Sequence, residues 1–213
     1  MTRALRASLL LALLMTPSLH AQLLKERTFG ALLGVSLAKA TGADAEGSKV
    51  ATGVAVGGFL TLGFTKGIAL EPQLLLLDKG IKGENESDGS SATVKVSYLQ
   101  MPLLLKARFP LGSADRSGFV FAGPGVALKV GCRISLKSGG VDLNTGCDDS
   151  ENQISSIDTG IMGGVGLDLG RATFSVRYDR SLSRIDSSSN PSDIKNTAIV
   201  LLAGVKFRFN PGA

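Results

Sequence analysis

Tyr98-Leu99-Gln100-Met101-Pro102-Leu103-Leu104-Leu105-Lys106-Ala107-Arg108-Phe109 decides how the chain folds. Leu99, Met101, Leu103, Leu105, Ala107 and Phe109 recur at every second position, and Gln100, Lys106 and Arg108 fall between them. A strand turns successive side chains to opposite faces, so this is a strand with one apolar and one charged face. About ten residues of tilted strand cross a bilayer. A wall between lipid and a polar interior has this two-faced pattern. Pro102 argues the other way, because a proline removes a ladder donor from a central strand. A kinked helix would instead need apolar residues at three-and-four spacing, which Lys106 and Arg108 interrupt.

The 213 residues suffice for one domain with a sizeable interior. Gly accounts for 27 of them, Trp is absent and aromatics make up 5%. Such a glycine load suits bent, closely packed strands better than helices. Residues 1–21 read as a secretory signal: Arg3 and Arg6 lead, Leu9 to Met15 is a short apolar run, and Ala21 offers a cleavage site. Leu19, at the minus-three position, is larger than usual there. Residues 22–213 then form the mature domain. Losing Arg3 and Arg6 takes the formal charge from +5 to +3. That is too mild and too scattered for nucleic acid. No apolar run approaches the roughly 20 residues of a spanning helix. Cys132 and Cys147, an even pair in an exported chain, read as a disulfide. Closing that loop is worth roughly 3 kcal/mol in the chain-entropy model.

Eight alternating segments follow one another. They start near Phe29, Ala51, Ile68, Tyr98, Gly118, Ile157, Ala172 and Thr197. The connections alternate long and short. Polar stretches at 38–50, 78–92, 131–156 and 181–197 are long; Thr65-Lys66-Gly67, Pro110 to Ser117 and Gly170-Arg171 are short. An up-and-down meander puts alternate connections at opposite ends. Membrane barrels have short periplasmic turns and long extracellular loops. Phe29, Phe64, Phe109, Phe119, Phe121, Phe174, Phe207 and Phe209 all lie beside short turns or termini, as a periplasmic aromatic girdle would. Tyr98 and Tyr178 are candidates for the opposite rim.

The pattern therefore predicts an all-β fold: a closed eight-stranded antiparallel up-and-down transmembrane barrel. Backbone groups in lipid lack water partners, so the last strand must pair with the first. Eight strands leave an interior about filled by side chains. Glu71, Gln73, Gln100, Lys106, Arg108, Lys129, Asp168, Arg177, Asp179, Lys206 and Arg208 fall on inward positions. Buried charges persist when paired, so the charged members are expected to form an internal network that plugs the barrel, with Glu71 roughly level with Lys106.

Leu70-Glu71-Pro72-Gln73-Leu74, the Tyr98–Lys106 run and Phe121-Ala122-Gly123-Pro124-Gly125 resemble the bacterial outer-membrane β-barrel domain family called PorT-like, small barrels similar in architecture to OmpA and OmpX. The similarity spans residues 29–209. It implies a Gram-negative outer-membrane location with periplasmic termini, contact with outer-membrane lipid, and use of the barrel-assembly machinery during insertion. It implies no shared chemistry, since fold does not give function. The chain departs from the pattern at its end, where Asn210-Pro211-Gly212-Ala213 follows Phe209.

No catalytic set is legible. The one histidine, His20, lies in the predicted signal, which removes the usual general base. Asp142, Asp148, Asp149 and Glu151 match no calcium-loop spacing. Gly163-Gly164-Val165-Gly166 has no strand-to-helix context for cradling phosphate. No cofactor and no metal site are expected. The reading is a monomeric, non-enzymatic barrel with a structural or surface-interaction role, whose loop partner the residues do not identify. Two alternatives stand beside it: a narrow outer-membrane channel, and a soluble lipocalin-like ligand-binding barrel with an apolar inside.

Overall fold

The computed structural model describes residues 26–41, 49–84, 90–138, 141–146, 156–183 and 195–208. Alternating apolar and polar side chains make nine strands: β1 (Glu26–Thr41), β2 (Lys49–Gly63), β3 (Ile68–Glu84), β4 (Ser91–Leu111), β5 (Ser113–Ser138), β6 (Val141–Gly146), β7 (Ile157–Leu169), β8 (Ala172–Ser181) and β9 (Lys195–Arg208). They form one antiparallel sheet ordered β4-β3-β2-β1-β9-β8-β7-β5-β6, and β4 also pairs with β5. That last ladder closes a ring of eight strands. β1 and β9 pair from Thr28↔Arg208 to Thr41↔Lys195, so the terminal strands are zipped along their length. β6 stands outside the ring and pairs with β5 from Arg133↔Gly146 to Ser138↔Val141.

The turns at one end are tight for local reasons. Gly112, between β4 and β5, has φ 74°, and Gly170, between β7 and β8, has φ 58°. A side chain is strained in this left-handed region. In the β2–β3 turn the Thr65 hydroxyl accepts from the Gly67 and Ile68 amides at 3.2 and 2.9 Å. The prolines also leave a mark. The β3–β4 register runs Pro72↔Leu103 and resumes at Leu75↔Gln100, skipping the positions beside Pro102. The β4–β5 register similarly skips from Pro102↔Gly125 to Leu105↔Ala122, across Pro124. A residue without an N–H interrupts the ladder locally, and the neighbouring pairs hold the strand in place.

Two expected loops are largely strand. β3 and β4 remain paired through 78–84 and 91–97, where a loop was expected over 78–92. β5 continues past Val130 to Ser138, and the expected 131–156 loop contains β6. A bulge explains the second miss. Tyr98 pairs with Lys129 but Ser97 pairs with Gly131, so Val130 is an extra residue. One inserted residue flips every later side chain to the other face. The alternation that ends at Val130 resumes out of phase, with Cys132 opposite Val96 and Ile134 opposite Val94.

The aliphatic stripes point away from the barrel axis. Leu33, Leu74, Leu105, Val126, Val165 and Leu201 are all exposed on the outer wall. Charged residues point inwards: Glu71, Lys79, Lys106, Asp158, Asp168, Arg177 and Asp179 are buried. This is the reverse of a lipocalin. The interior is nevertheless not polar throughout. Leu32, Phe59, Leu75, Leu77, Val200 and Leu202 form an apolar cluster on the β1, β2, β3 and β9 wall.

The aromatic girdle needs correcting. Phe29, Phe64, Phe109, Phe174 and Phe207 face outwards near the turn end, and Phe29 stacks on Phe207 with ring centroids 5.5 Å apart. Phe119 and Phe121 point inwards and pack with Leu104 and Met162. Phe209 lies outside the described residues. Tyr178 is exposed on the outer wall, whereas Tyr98 is buried inside. Phe119 and Phe121 share the odd-numbered face of β5 with inward Lys129. Their parity marks them as inward, although their height along the strand suggests the girdle.

Candidate functional site

The chemistry sits inside the ring, in tiers from turn end to loop end. At the turn end, Arg108 Nη2 donates to Glu26 Oε2 at 2.9 Å. One tier up, Lys106 Nζ lies 3.1 Å from Glu71 Oε2 and 4.0 Å from Asp168 Oδ2, and Lys206 Nζ lies 3.0 Å from the same Asp168 oxygen. Glu71 also accepts from the Thr61 hydroxyl at 2.8 Å and the Gln73 amide at 2.9 Å. The register sets Glu71 against Leu104 and Lys106 against Ala69, so the ion pair is diagonal rather than level. Lys106 Nζ also sits 3.6 Å from the centre of the Phe119 ring. Cation–π contact of this kind is strongest where the cation is desolvated.

The middle tier is centred on Arg177, which is fully buried. Its Nε lies 2.7 Å from Asp179 Oδ1. Its two terminal nitrogens donate to Gln73 Oε1 at 3.1 Å, Gln100 Oε1 at 2.8 Å and Asp179 Oδ2 at 3.0 Å. The Gln100 amide donates to Asp179 Oδ2 at 3.2 Å. This tier joins β3, β4 and β8 across the barrel. Arg is suited to it, because its rigid fork meets several oxygens at once.

Nearer the loop end, Lys79 Nζ lies 3.2 Å from Asp158 Oδ2. Asp158 also accepts from the Ser181 and Ser183 hydroxyls at 2.7 Å each. Lys79, Asp158, Ser181 and Thr61 are members that the sequence reading missed. Thr61 and Asp158 lie on inward parity positions of strands already expected, and Lys79 and Ser181 on the continuation of the inward face where β3 and β8 run further than expected. Lys79 and Ser181 are hidden because the polar composition of 78–92 and 181–197 reads as loop, and Asp158 because it opens β7 beside the long connection.

Other expected site residues are placed as follows. Lys129 is half-buried on β5 opposite Tyr98, and Arg208 is exposed at the end of β9. No cysteine among the described residues is free. Cys132 packs against Val96 and Tyr98, and Cys147 lies outside the described residues. His20, Asp148, Asp149, Glu151 and the 1–21 segment also lie outside them. The Gly163–Gly166 cluster has a packing role. Gly164 and Gly166 face inwards on β7, where a Cβ on Gly164 would come within 2.6 Å of the Phe121 ring and one on Gly166 would overlap the Phe119 ring.

At the turn end the tiers leave a cavity of about 420 Å³. Lys106, Arg108, Arg171, Lys206 and Arg208 line it, with Glu26, Asp115 and Asp168. Cations outnumber carboxylates there by five to three. Toward the loop end the interior beyond this cavity is filled: Arg177, Tyr98, Leu75, Leu77, Leu104 and Val200 are fully buried.

A closed antiparallel ring with aliphatic residues outside and paired charges inside defines the class of outer-membrane β-barrels. Residues 20–187 match the family model described as outer membrane protein beta-barrel domain, and the chain belongs to that family. Among solved structures it is similar to Ail, the attachment invasion locus protein of Yersinia pestis, at 14% identity and a TM-score of 0.44, covering 85% of this chain and 99% of that one. It is similar to OprG from Pseudomonas aeruginosa at 17% identity and 0.44, covering 87% and 98%. Neisserial surface protein A shows 14% identity and 0.42, covering 84% and 97%. None of the three informs what this chain does. No curated protein matches the sequence at a significant level.

Proposed function

We propose that the chain is a non-catalytic barrel of the Gram-negative outer membrane, of the PorT-like type, with a structural or surface-interaction role. The short turns and both termini face the periplasm, residues 1–21 are removed on export, and the loop end is extracellular. The observation that carries this reading is the filled waist. Arg177 is fully buried and its partners come from β3, β4 and β8, so side chains span the lumen where a channel would need water. The part of the molecule left to meet other molecules is the loop end, where β5 and β6 extend past the ring. A Cys132–Cys147 bond would tie the base of that arm. The barrel contacts lipid through its aliphatic stripes, is inserted by the barrel-assembly machinery and is monomeric.

Two measurements test the reading. Folded protein in planar bilayers is expected to show no stepwise conductance; regular channel openings would replace this reading with the narrow channel. An epitope tag placed between Asp148 and Asp149 is expected to be labelled on intact cells. Labelling only after the outer membrane is permeabilised would invert the orientation.

A further inference from the structure

On one side of the barrel the outer wall ends in cations. The register sets Lys39 of β1 and Arg180 of β8 on either side of Thr197 of β9. Both side chains are exposed and continue the outward face of their strands at the loop end. Neighbouring strands lie about 4.8 Å apart, so the two Cα atoms are roughly 10 Å apart, and two long side chains can meet on one anion. Lys195 stands two residues above Thr197 on the same face. Neither Lys39 nor Arg180 makes an ion pair among the described residues. No acid answers them from the wall. The described carboxylates of β1, β7, β8 and β9 are Glu26, Asp158, Asp168 and Asp179, and all four turn inwards, to Arg108, Lys79, Lys206 and Arg177. Beneath the cations the same register stacks apolar rows, Leu37–Ile199–Tyr178 and then Val35–Leu201–Val176, all of them exposed. The step from apolar rows to cations marks where lipid tails give way to headgroups, and Tyr178 is the kind of ring that such a boundary favours.

We propose that this collar holds the phosphate groups of a multiply acylated sugar lipid of the outer leaflet, whose acyl chains lie along the apolar rows. The inference rests on the reading that the loop end is extracellular. A phosphate monoester carries about −1.5 to −2 charges, which suits a wall where cations stand without acids. A phosphodiester brings one. The Arg180 fork can meet two phosphate oxygens at once, and Lys39 adds a point charge beside it. Both side chains have long aliphatic stems, which can lie along the wall while the charged heads reach the headgroup layer. The apolar rows beneath are three strands wide, so they seat more than one chain.

The test is titration of the full folded chain in neutral detergent, read by native mass spectrometry. Bisphosphorylated lipid A is the probe. The same lipid stripped of its phosphates, and phosphatidylglycerol with its single phosphodiester, are the controls. Lipid A is expected to bind saturably, and each control at least about tenfold more weakly, as loss of one charge-assisted hydrogen bond implies. The double variant K39Q/R180Q is expected to weaken lipid A by about tenfold or more. Arg27→Gln removes an exposed cation at the opposite, turn end of β1 and is expected to leave the affinity unchanged. Absence of saturable lipid A binding would overturn the proposal. So would a control that binds as tightly, unchanged affinity in the double variant, or an equal loss in the Arg27 variant. Each sample's heat-shifted gel mobility reports a folded barrel, so a flat titration counts against the collar alone. Binding in detergent does not depend on the direction of insertion, and the orientation fails separately, through the tag between Asp148 and Asp149. Labelling confined to permeabilised cells would take the collar out of the outer leaflet and overturn the proposal even with lipid A bound.

Discussion

At the scale of single residues, Arg177 is the most consequential side chain. It is a full charge in a position water does not reach, held by Asp179, Gln73 and Gln100. Removing one partner of a buried pair leaves the other uncompensated, whereas replacing both with apolar groups of similar volume is often neutral. Asp179→Ala is therefore expected to destabilise the barrel by about 3–5 kcal/mol, and the double change R177M/D179L to recover most of that loss. Urea unfolding followed by cold-gel mobility measures both, and a double variant as unstable as the single one would contradict the pairing argument. Gly166→Val overpacks a site already filled by the Phe119 ring and the Phe174 carbonyl. A loss of about 1–3 kcal/mol is expected in the same assay, with partial recovery when Phe119→Ala is added. Gly170→Ala, at φ 58°, is expected to cost about 1 kcal/mol through backbone strain alone.

At the scale of elements, the same degree of exposure has two meanings. Leu33 on β1 and Leu143 on β6 are each 62% exposed. Leu33 lies at the middle of a ring strand, where its surroundings are lipid, and Leu33→Arg is expected to cost about 2–4 kcal/mol. Leu143 lies on the arm outside the ring, and Leu143→Arg is expected to stay within about 0.5 kcal/mol. Equal costs at the two positions would remove the distinction between wall and arm. Strand reading depends on an unbroken phase, and this determines which elements could be foreseen. β1, β7 and β9 keep one alternation from end to end and are legible, as are β2 past its irregularity near Val50 and β4 from Tyr98 onwards. The upper half of β5 was not, because the Val130 bulge resets the phase and the residues beyond it read as loop. β6 was hidden in turn, since it pairs only with that rephased half.

At the scale of the whole molecule, ring closure, the direction of the aliphatic stripes and the inward set around Glu71, Lys106, Arg177 and Asp179 follow from parity alone. The apolar half of the interior does not. Leu74-Leu75-Leu76-Leu77 is apolar on both faces, so alternation cannot show that Leu75 and Leu77 fill the lumen beside Phe59 and Val200. Which acid meets which base is equally illegible, because that depends on the relative tilt and stagger of non-adjacent strands. Lys79 finds Asp158, and Lys206 finds Asp168, across strands that are not neighbours in the ring.

Those contacts also bear on how quickly the native state can be reached. Every ring ladder except β1–β9 joins strands that follow one another around the ring in chain order, and can form early. Arg177 and Gln73, however, are 104 residues apart, and Lys79 and Asp158 are 79 apart. Contacts this distant along the polypeptide are made only after the entropy of a long loop has been surrendered. The polar tiers should therefore latch last, after the hairpins have formed and met. Asp179→Ala should accordingly speed unfolding far more than it slows refolding, so that Arg177 acts chiefly as a brake on opening.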